Sequence, residues 1–290
     1  MSKELSTVAK VEFDTEVKHS YQTMSATLAG TTTERKGVVG NEYKFRKMGK
    51  GQASKRTAPS ADAIPMNVDH GFAVCLLQDW DANEYTDIFN AQDVNFDEVK
   101  ELGQTIAGAI GRRDDQLKID AMAAGTYNAT PVQGTSGGLV GTAIGGADTN
   151  LNIAKLTAIA KFMDDNEVPA EGRHLAFSAS GKSSLLNTTQ VTSSDYNTVQ
   201  ALVRGEINTF MGFTFHMIGI RTEGGLPKAA AVRDGYAWHE SSIGYANGID
   251  MTTSVDWIPT KKSWLSAGNL KANAVIRDID GIVKYQATEA

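Results

Sequence analysis

The chain has 290 residues, 41% hydrophobic and 21% charged, with a net charge of −6, so it can bury a sizeable core and is no obvious general nucleic-acid binder. A single cysteine, Cys75, excludes an intrachain disulfide, and no apolar run approaches the roughly 20 residues of a membrane span. The opening M-S-K-E-L-S-T lacks the apolar core of a signal peptide, which leads us to expect a protein made and kept in a reducing cytosol.

From Val8 to Ala29, Phe13, Val17, Tyr21, Met24 and Leu28 recur at steps of four, four, three and four, which predicts a helical face. A stripe of such large side chains has to dock, either on its own chain or on a neighbour. From Gly30 to His70 the helical period is lost and glycine recurs at 30, 37, 40, 49 and 51. Alternation around Tyr43, Phe45 and Met48 predicts a two-stranded ribbon with a looser tip. Arg35, Lys36, Lys44, Arg46, Lys47, Lys50, Lys55 and Arg56 make that ribbon basic. An isolated ribbon is marginal in water, so this one is expected to lie across a partner surface.

The next stretch has the opposite sign. Asp79, Asp81, Glu84, Asp87 and Asp93 lead into Asp97, Glu98 and Glu101, against Lys100 alone. A basic ribbon beside an acidic shoulder predicts that one copy's ribbon lies on the next copy's shoulder, a head-to-tail contact able to close into rings. Two independently solvated charge runs are the alternative.

Asn95 to Gly125 reads as one long helix of about 30 residues, roughly 45 Å at 1.5 Å per residue. Asn95 is placed to cap it, with Glu98 three residues on, and Gly125 is a stop signal. Val99, Leu102, Ile106, Ile110, Leu117, Ala121 and Ala124 form an amphipathic stripe that Arg113 interrupts. The spacing pairs Arg112 with Asp115 and Asp114 with Lys118, while Arg113 has no acid three or four residues away and must find solvent or a partner elsewhere.

After the helix, residues 125–150 are rich in Gly, Thr and Ala, with L-V-G-T-A-I as a candidate strand. From Leu151 the pattern is mixed: a helix to Asn166, a strand at His174–Ser178, a short helix near Ser183–Asn187, and a strand pair at F-M-G-F-T-F-H-M-I-G-I broken by Gly212. Asp234-Gly235 predicts a further hairpin, Ile249–Ile258 and Trp264–Leu270 are strand-like, and Asp280-Gly281 marks a last turn.

Catalytic signals are weak. A-F-S-A-S-G-K-S at Ala176–Ser183 nearly matches a phosphate-binding loop, but Ala176 stands at the first glycine's place, and a helix capped by Ser180 explains the same residues. G-T-S-G-G at Gly134–Gly138 matches a nucleophile-elbow pattern without the helix that should follow it. His19, His70, His174, His216 and His239 are scattered, and the Asp164/Asn166 start of a calcium loop fails at Val168 and Pro169, so no metal or cofactor is expected. Tyr43 and Phe45 interleave with cations, as in a single-strand nucleic-acid binder, yet no DNA-binding module is recognisable.

The ordered set F-D-T-E-V-K-H-S-Y-Q near Phe13, G-V-V-G-N-E-Y-K-F at Gly37, D-W-D-A-N-E-Y-T-D-I-F-N-A-Q-D at Asp79 and A-G-A-I-G-R-R-D-D-Q-L-K-I-D-A-M-A-A-G at Ala107 resembles tailed-phage major capsid proteins. The similarity is clearest from Phe13 to Gly125. It implies an α+β, Hong Kong 97-like capsid fold. An N-terminal arm (1–29) and an extended loop (30–70) would join a peripheral domain (71–150) holding the spine helix. An axial domain (151–245) and closing strands (246–290) would follow. It also implies a non-enzymatic protein that assembles as hexamers and pentamers of an icosahedral shell in the host cytoplasm, then enters the virion. The implied partners are copies of itself, a separate scaffolding protein, a portal, a cement protein in some cases, and packaged double-stranded DNA held without sequence preference. The arm is too short to be the built-in scaffolding segment of some relatives. Other relatives weld their shells through Lys–Asn isopeptide bonds. No motif here identifies a reactive pair, so denaturing gels of mature particles are expected to show monomer bands only.

Overall fold

The computed structural model describes residues 22–23, 25–59, 62–89, 97–146, 148–187 and 209–289. Of the stripe expected over Val8–Ala29, Leu28 falls inside this range and is fully buried, whereas Phe13, Val17, Tyr21 and Met24 lie outside the described residues.

Three sheets organise the chain. The first joins β1 (Thr33–Arg35) to a ladder of long strands, in the order β1-β12-β13-β4. Here β4 is Gln78–Asp87, β12 is Ile243–Ile258 and β13 is Ser263–Ile276. The second sheet is the ribbon, β2 (Glu42–Met48) antiparallel to β3 (His70–Leu76). Alternation at Tyr43 and Phe45 was thus a true strand signal, whereas Met48, in the same strand, falls on the opposite face.

The third sheet runs β5-β6-β14-β11-β7-β9-β8 with β10 on the side of β11. Its strands are β5 (Tyr127–Asn128), β6 (Gly137–Val140), β7 (Arg173–Phe177), β8 (Thr209–Phe210), β9 (Phe213–Met217), β10 (Lys228–Ala229), β11 (Val232–His239) and β14 (Ile282–Thr288). Helices α2 (Ile153–Asp165) and α3 (Ala179–Asn187) belong to this half, and α1 (Glu98–Ala123) to the long ladder.

Alternation along β11 divides the core in two. Tyr236 and Trp238 face α1, packing with Ile119, Met122 and Ile282, while Ala237 faces α2 with Leu156, Ile159, Met163 and Tyr285. A third, smaller cluster of Phe45, Cys75 and Ala246 fastens the ribbon to β12. Cys75 is 1% exposed, and burial pushes its thiol up to about 11, which makes it an inert packing residue.

Helix α1 opens later than expected. Asp97 is its cap, its carboxylate accepting from Lys100 N at 3.2 Å, with Glu98 and Glu101 in the first turn where the helix dipole favours acids. Asn95 lies outside the described residues. At the other end Ala124 is the cap, and Gly125 is not left-handed: a Cβ there would sit 2.7 Å from Tyr127 Oη, so packing rather than a turn calls for glycine. Helix α1 crosses β13 at Gly268, where a Cβ would lie 2.4 Å from Ile106 Cγ2.

Three local expectations are corrected. Asp234-Gly235 is not a turn but the middle of β11, and Gly235 leaves room for the Tyr285 ring, 2.2 Å from where a Cβ would be. The chain reverses at Ala230 instead, which takes φ 52°. Asp280-Gly281 is a tight helical turn as expected, but it passes the chain from the long ladder to the third sheet, so its flanking strands do not pair. L-V-G-T-A-I yields only the short β6, which ends at Val140.

Candidate assembly surfaces

The ribbon has two unlike faces. Phe45 turns inward, its ring 2.7 Å from the Cβ position of Gly244, and Cys75 follows it. Outward point Lys44 and Arg46 from β2, opposite Val74 and Phe72 of β3, with Met48 and Leu76 at the two ends. Phe72 is 63% exposed, and Lys44 Nζ lies 5.4 Å from its ring centroid. This is a row of apolar side chains interleaved with cations, with no cover from the described residues. Lys47, on the inner face, is partly spent: it pairs with Asp278 at 2.8 Å. Beyond the ribbon, Lys50, Lys55 and Arg56 lie on a fully exposed loop, and Arg35 and Lys36 are exposed at the end of β1.

The acidic shoulder is the outer edge of the long ladder. Asp79 and Asp81 share one face of β4 by alternation, and Asp79 is 3.4 Å from Lys271. Glu84 falls on the opposite face with Trp80 and Thr86, and its carboxylate accepts from Tyr85 N. Asp87 accepts from Phe89 N at 2.7 Å, closing the strand end, and Asp93 lies outside the described residues. The shoulder is therefore divided between two faces.

The charges of α1 find tertiary partners. Arg113 stacks over the Trp80 ring at 4.3 Å, so its missing acid is replaced by a cation–π contact within the chain. Arg112 does not pair with Asp115, as spacing suggested. Its Nε donates to Glu223 at 2.9 Å and its Nη1 to Thr23 O at 3.1 Å. Asp115 is fully buried and accepts from Thr27 N, Leu28 N and Arg221 Nη1 at 2.9, 2.7 and 2.7 Å. Lys118 reaches Asp114 at 2.9 Å, as expected, and also Leu28 O at 3.1 Å. Together these bonds clamp Thr23, Thr27 and Leu28 between α1 and the loop around Arg221.

The candidate catalytic motifs dissolve. Ala176 is a buried strand residue, and the cap of α3 is Ser178, not Ser180: its Oγ accepts from Gly181 N and donates to Glu289. Glu289 also takes Arg233 Nε at 2.6 Å, and these partners hold its carboxyl below the usual range against the opposing effect of burial. The helix therefore begins at Ala179, inside the stretch that a phosphate-binding loop would need in an open conformation. Ser136 caps a local turn by accepting from Val132 N and is followed by a strand, not a helix.

One constellation escaped the spacing argument. His174 and His216, on neighbouring strands, approach to 3.1 Å and both rings lie against Trp238. Burial lowers both, His216 to about 4. Among the described residues no three potential ligands gather around them or elsewhere to hold a metal.

A long helix laid across a strand ladder, with a ribbon face that the described residues leave uncovered, describes a building block with surfaces suited to other copies. The sequence matches the family described as phage capsid protein over residues 5–289, and the chain belongs to that family. Its fold is similar to the capsid of the cyanophage P-SCSP1u, with a TM-score of 0.73, 16% identity, and 98% of this chain and 94% of that chain covered. It is similar also to the capsid of a native GTA particle (TM-score 0.73, 15% identity, 99% and 97% covered) and to Mycobacterium phage Che8 (0.68, 14%, 96% and 97%). No curated protein matches the sequence. The α+β fold is that of phage capsid structures, and the chain is a phage capsid protein, a structural component of a virion.

Proposed function

We propose that this major capsid protein builds its shell through the outer face of the β2–β3 ribbon, which lies on the β4 edge of the next copy. The single observation that carries this reading is the uncovered row of Phe72, Val74, Leu76 and Met48 set between Lys44 and Arg46. Apolar area exposed in this way is costly unless a partner removes it from water, and the cations give the contact its register. Asp79 and Asp81 offer the matching sign on one face of the shoulder. Each exposed ion pair contributes only about 0–1 kcal/mol, so the lattice draws its strength from repetition.

On this reading the chain forms hexamers and pentamers of an icosahedral head in the host cytoplasm, without enzymatic activity. The arm (1–29) and extended loop (30–70) overlap neighbours, the peripheral domain (71–150 with 246–290) forms the shell plane, and the axial domain (151–245) lines the capsomer centre. A separate scaffolding protein, a portal and in some shells a cement protein complete the head, and the inner face contacts packaged DNA without sequence preference.

The test is negative-stain microscopy of Lys44→Glu/Arg46→Glu beside the parent protein. Lys47 is left in place because it serves Asp278 within the chain. The expected result is loss of particles from a subunit whose melting temperature is unchanged; particles at normal yield refute the ribbon contact.

A further inference from the structure

Between residues 25–29, α1 and β12 lies a groove of about 380 Å³. Its floor is apolar, from Ala26, Ala107, Ile110 and Leu270, and its walls are acceptors: Glu34, Asp114, Asn247 and Asp250. One of those acceptors, Asn247 Oδ1, is buried with no donor among the described residues. Asn247 is only 6% exposed, and its amide can point only one way because Nδ2 donates to Asp250 Oδ1 at 2.6 Å. One oxygen of Asp114 is held by Lys118. Burial, then the Asp114 charge and a side-chain hydrogen bond with Asp114, push the Tyr245 phenol well above its ordinary range, so Tyr245 serves Asp114 and Asn247 Oδ1 is the acceptor left open. Buried acceptors are nearly always satisfied in a finished structure, so Asn247 Oδ1 calls for a donor that the described residues do not supply.

The chemistry of the missing group follows from the walls and floor. An apolar trough ending in carboxylates and an amide oxygen fits the aliphatic stem and cationic head of a lysine or arginine. Lys36 stands at the rim, exposed and paired with no described residue. Lys50, Lys55 and Arg56 are likewise exposed and unpaired among the described residues, on a segment exposed throughout.

The chain's own loop is aimed away from this groove. Val38 N donates to Asn247 O, Phe45 packs at Gly244, and Lys47 reaches Asp278. The ribbon therefore advances from the Asn247 end of the ladder towards Asp278, and the loop begins beyond that point. A cation from this loop can enter only the groove of another copy. We propose that the groove seats a lysine or arginine from residues 50–56 of a second copy, with its head between Asp114, Asn247 and Asp250. This rests on the shell-forming reading and gives the ribbon contact a defined end point.

Two experiments read it. First, particles grown from a mixture of ¹⁵N-labelled and unlabelled chains are treated with a zero-length carbodiimide and digested for mass spectrometry, beside dissociated subunits. Links joining Lys50 or Lys55 to Glu34, Asp114 or Asp250 of the other isotope are expected in particles and not in subunits. Second, Asp250→Lys and the set Lys50→Glu/Lys55→Glu/Arg56→Glu are each expected to lower particle yield about tenfold, and their combination to restore most of it; this arm alone reports the seat if Arg56 fills it. Groove carboxylates linked only to Lys36 or to the amino-terminal lysines Lys3, Lys10 and Lys18 overturn the proposal. So does a combined variant that assembles no better than either parent. If the parent protein forms no particles at all, the shell reading itself falls, and this proposal with it.

Discussion

At the scale of single residues, the titratable pair beneath Trp238 has the clearest consequence. Burial, then the neighbouring His174, lower His216 to about 4, while Asp115 and the Thr27 backbone pull the other way. His174 is lowered by burial and by His239, against Glu240. An unfolded histidine titrates near 6.5, so between about pH 6.5 and 4 the unfolded chain binds protons that the folded chain refuses. Stability is fully present above that window and declines as the pH falls through it. Melting temperatures of the unassembled subunit should therefore drop steadily from pH 7 to 5, and the double variant His174→Gln/His216→Gln should flatten most of that drop. An unchanged decline would assign the sensitivity to other groups. The pair was invisible to sequence because its members stand 42 residues apart and meet only through the parallel pairing of β7 with β9. Arg112 teaches the same point. Its spacing suggested Asp115, but Glu223 and Arg221, more than a hundred residues away in sequence, take the two charges instead.

At the scale of elements, α1 packs tightly on β13. A Cβ at Gly268 would lie 2.4 Å from Ile106 Cγ2 and 2.8 Å from Ile110 Cδ1, both on the buried face of the helix. Branched side chains have little rotamer freedom to yield, so Gly268→Val is expected to cost about 1–3 kcal/mol. Gly71→Val, on the ribbon where no atom lies within 4 Å, is the matched control and should shift the urea midpoint little. What was legible at this scale was what periodicity encodes: the stripe of α1, the Tyr43/Phe45 alternation, the helix before Asn166. What misled was glycine, whose place in a sequence does not say why it is needed. At Gly212 it supports a turn with φ 79°, at Gly235 it admits the Tyr285 ring, and Asp-Gly reads identically in either role. The acidic run suffered similarly, because a count of charges does not reveal that a strand places Glu84 on the other face from Asp79 and Asp81, or that Asp97 is a helix cap.

At the scale of the whole molecule, the decisive property is the separation between charges that hold the subunit together and charges left for other copies. Asp115 pairs with Arg221, Lys118 with Asp114 and Arg112 with Glu223, and the side chains of Asp115, Arg221, Lys118 and Arg112 are buried, at exposures of 0%, 3%, 1% and 9%. Lys44, Arg46, Lys50, Lys55 and Arg56 stand in solvent. Salt discriminates between the two sets, since screening reaches exposed charges over a Debye length of about 10 Å at 0.1 M and about 3 Å at 1 M but penetrates buried pairs poorly. Raising the ionic strength across that range should slow shell assembly, followed by light scattering, by at least an order of magnitude, because steering of the ribbon to the shoulder is a long-range effect. Over the same range the melting temperature of the unassembled subunit should stay nearly constant. Assembly rates indifferent to salt would leave the apolar row of Phe72, Val74 and Leu76 as the sole basis of the contact and remove the charges from it. A subunit that melts early in salt would place the exposed cations among the bonds that hold the monomer, contrary to their exposure and to the single ion pair they make among the described residues, Lys44 with the exposed Glu42 at 3.3 Å.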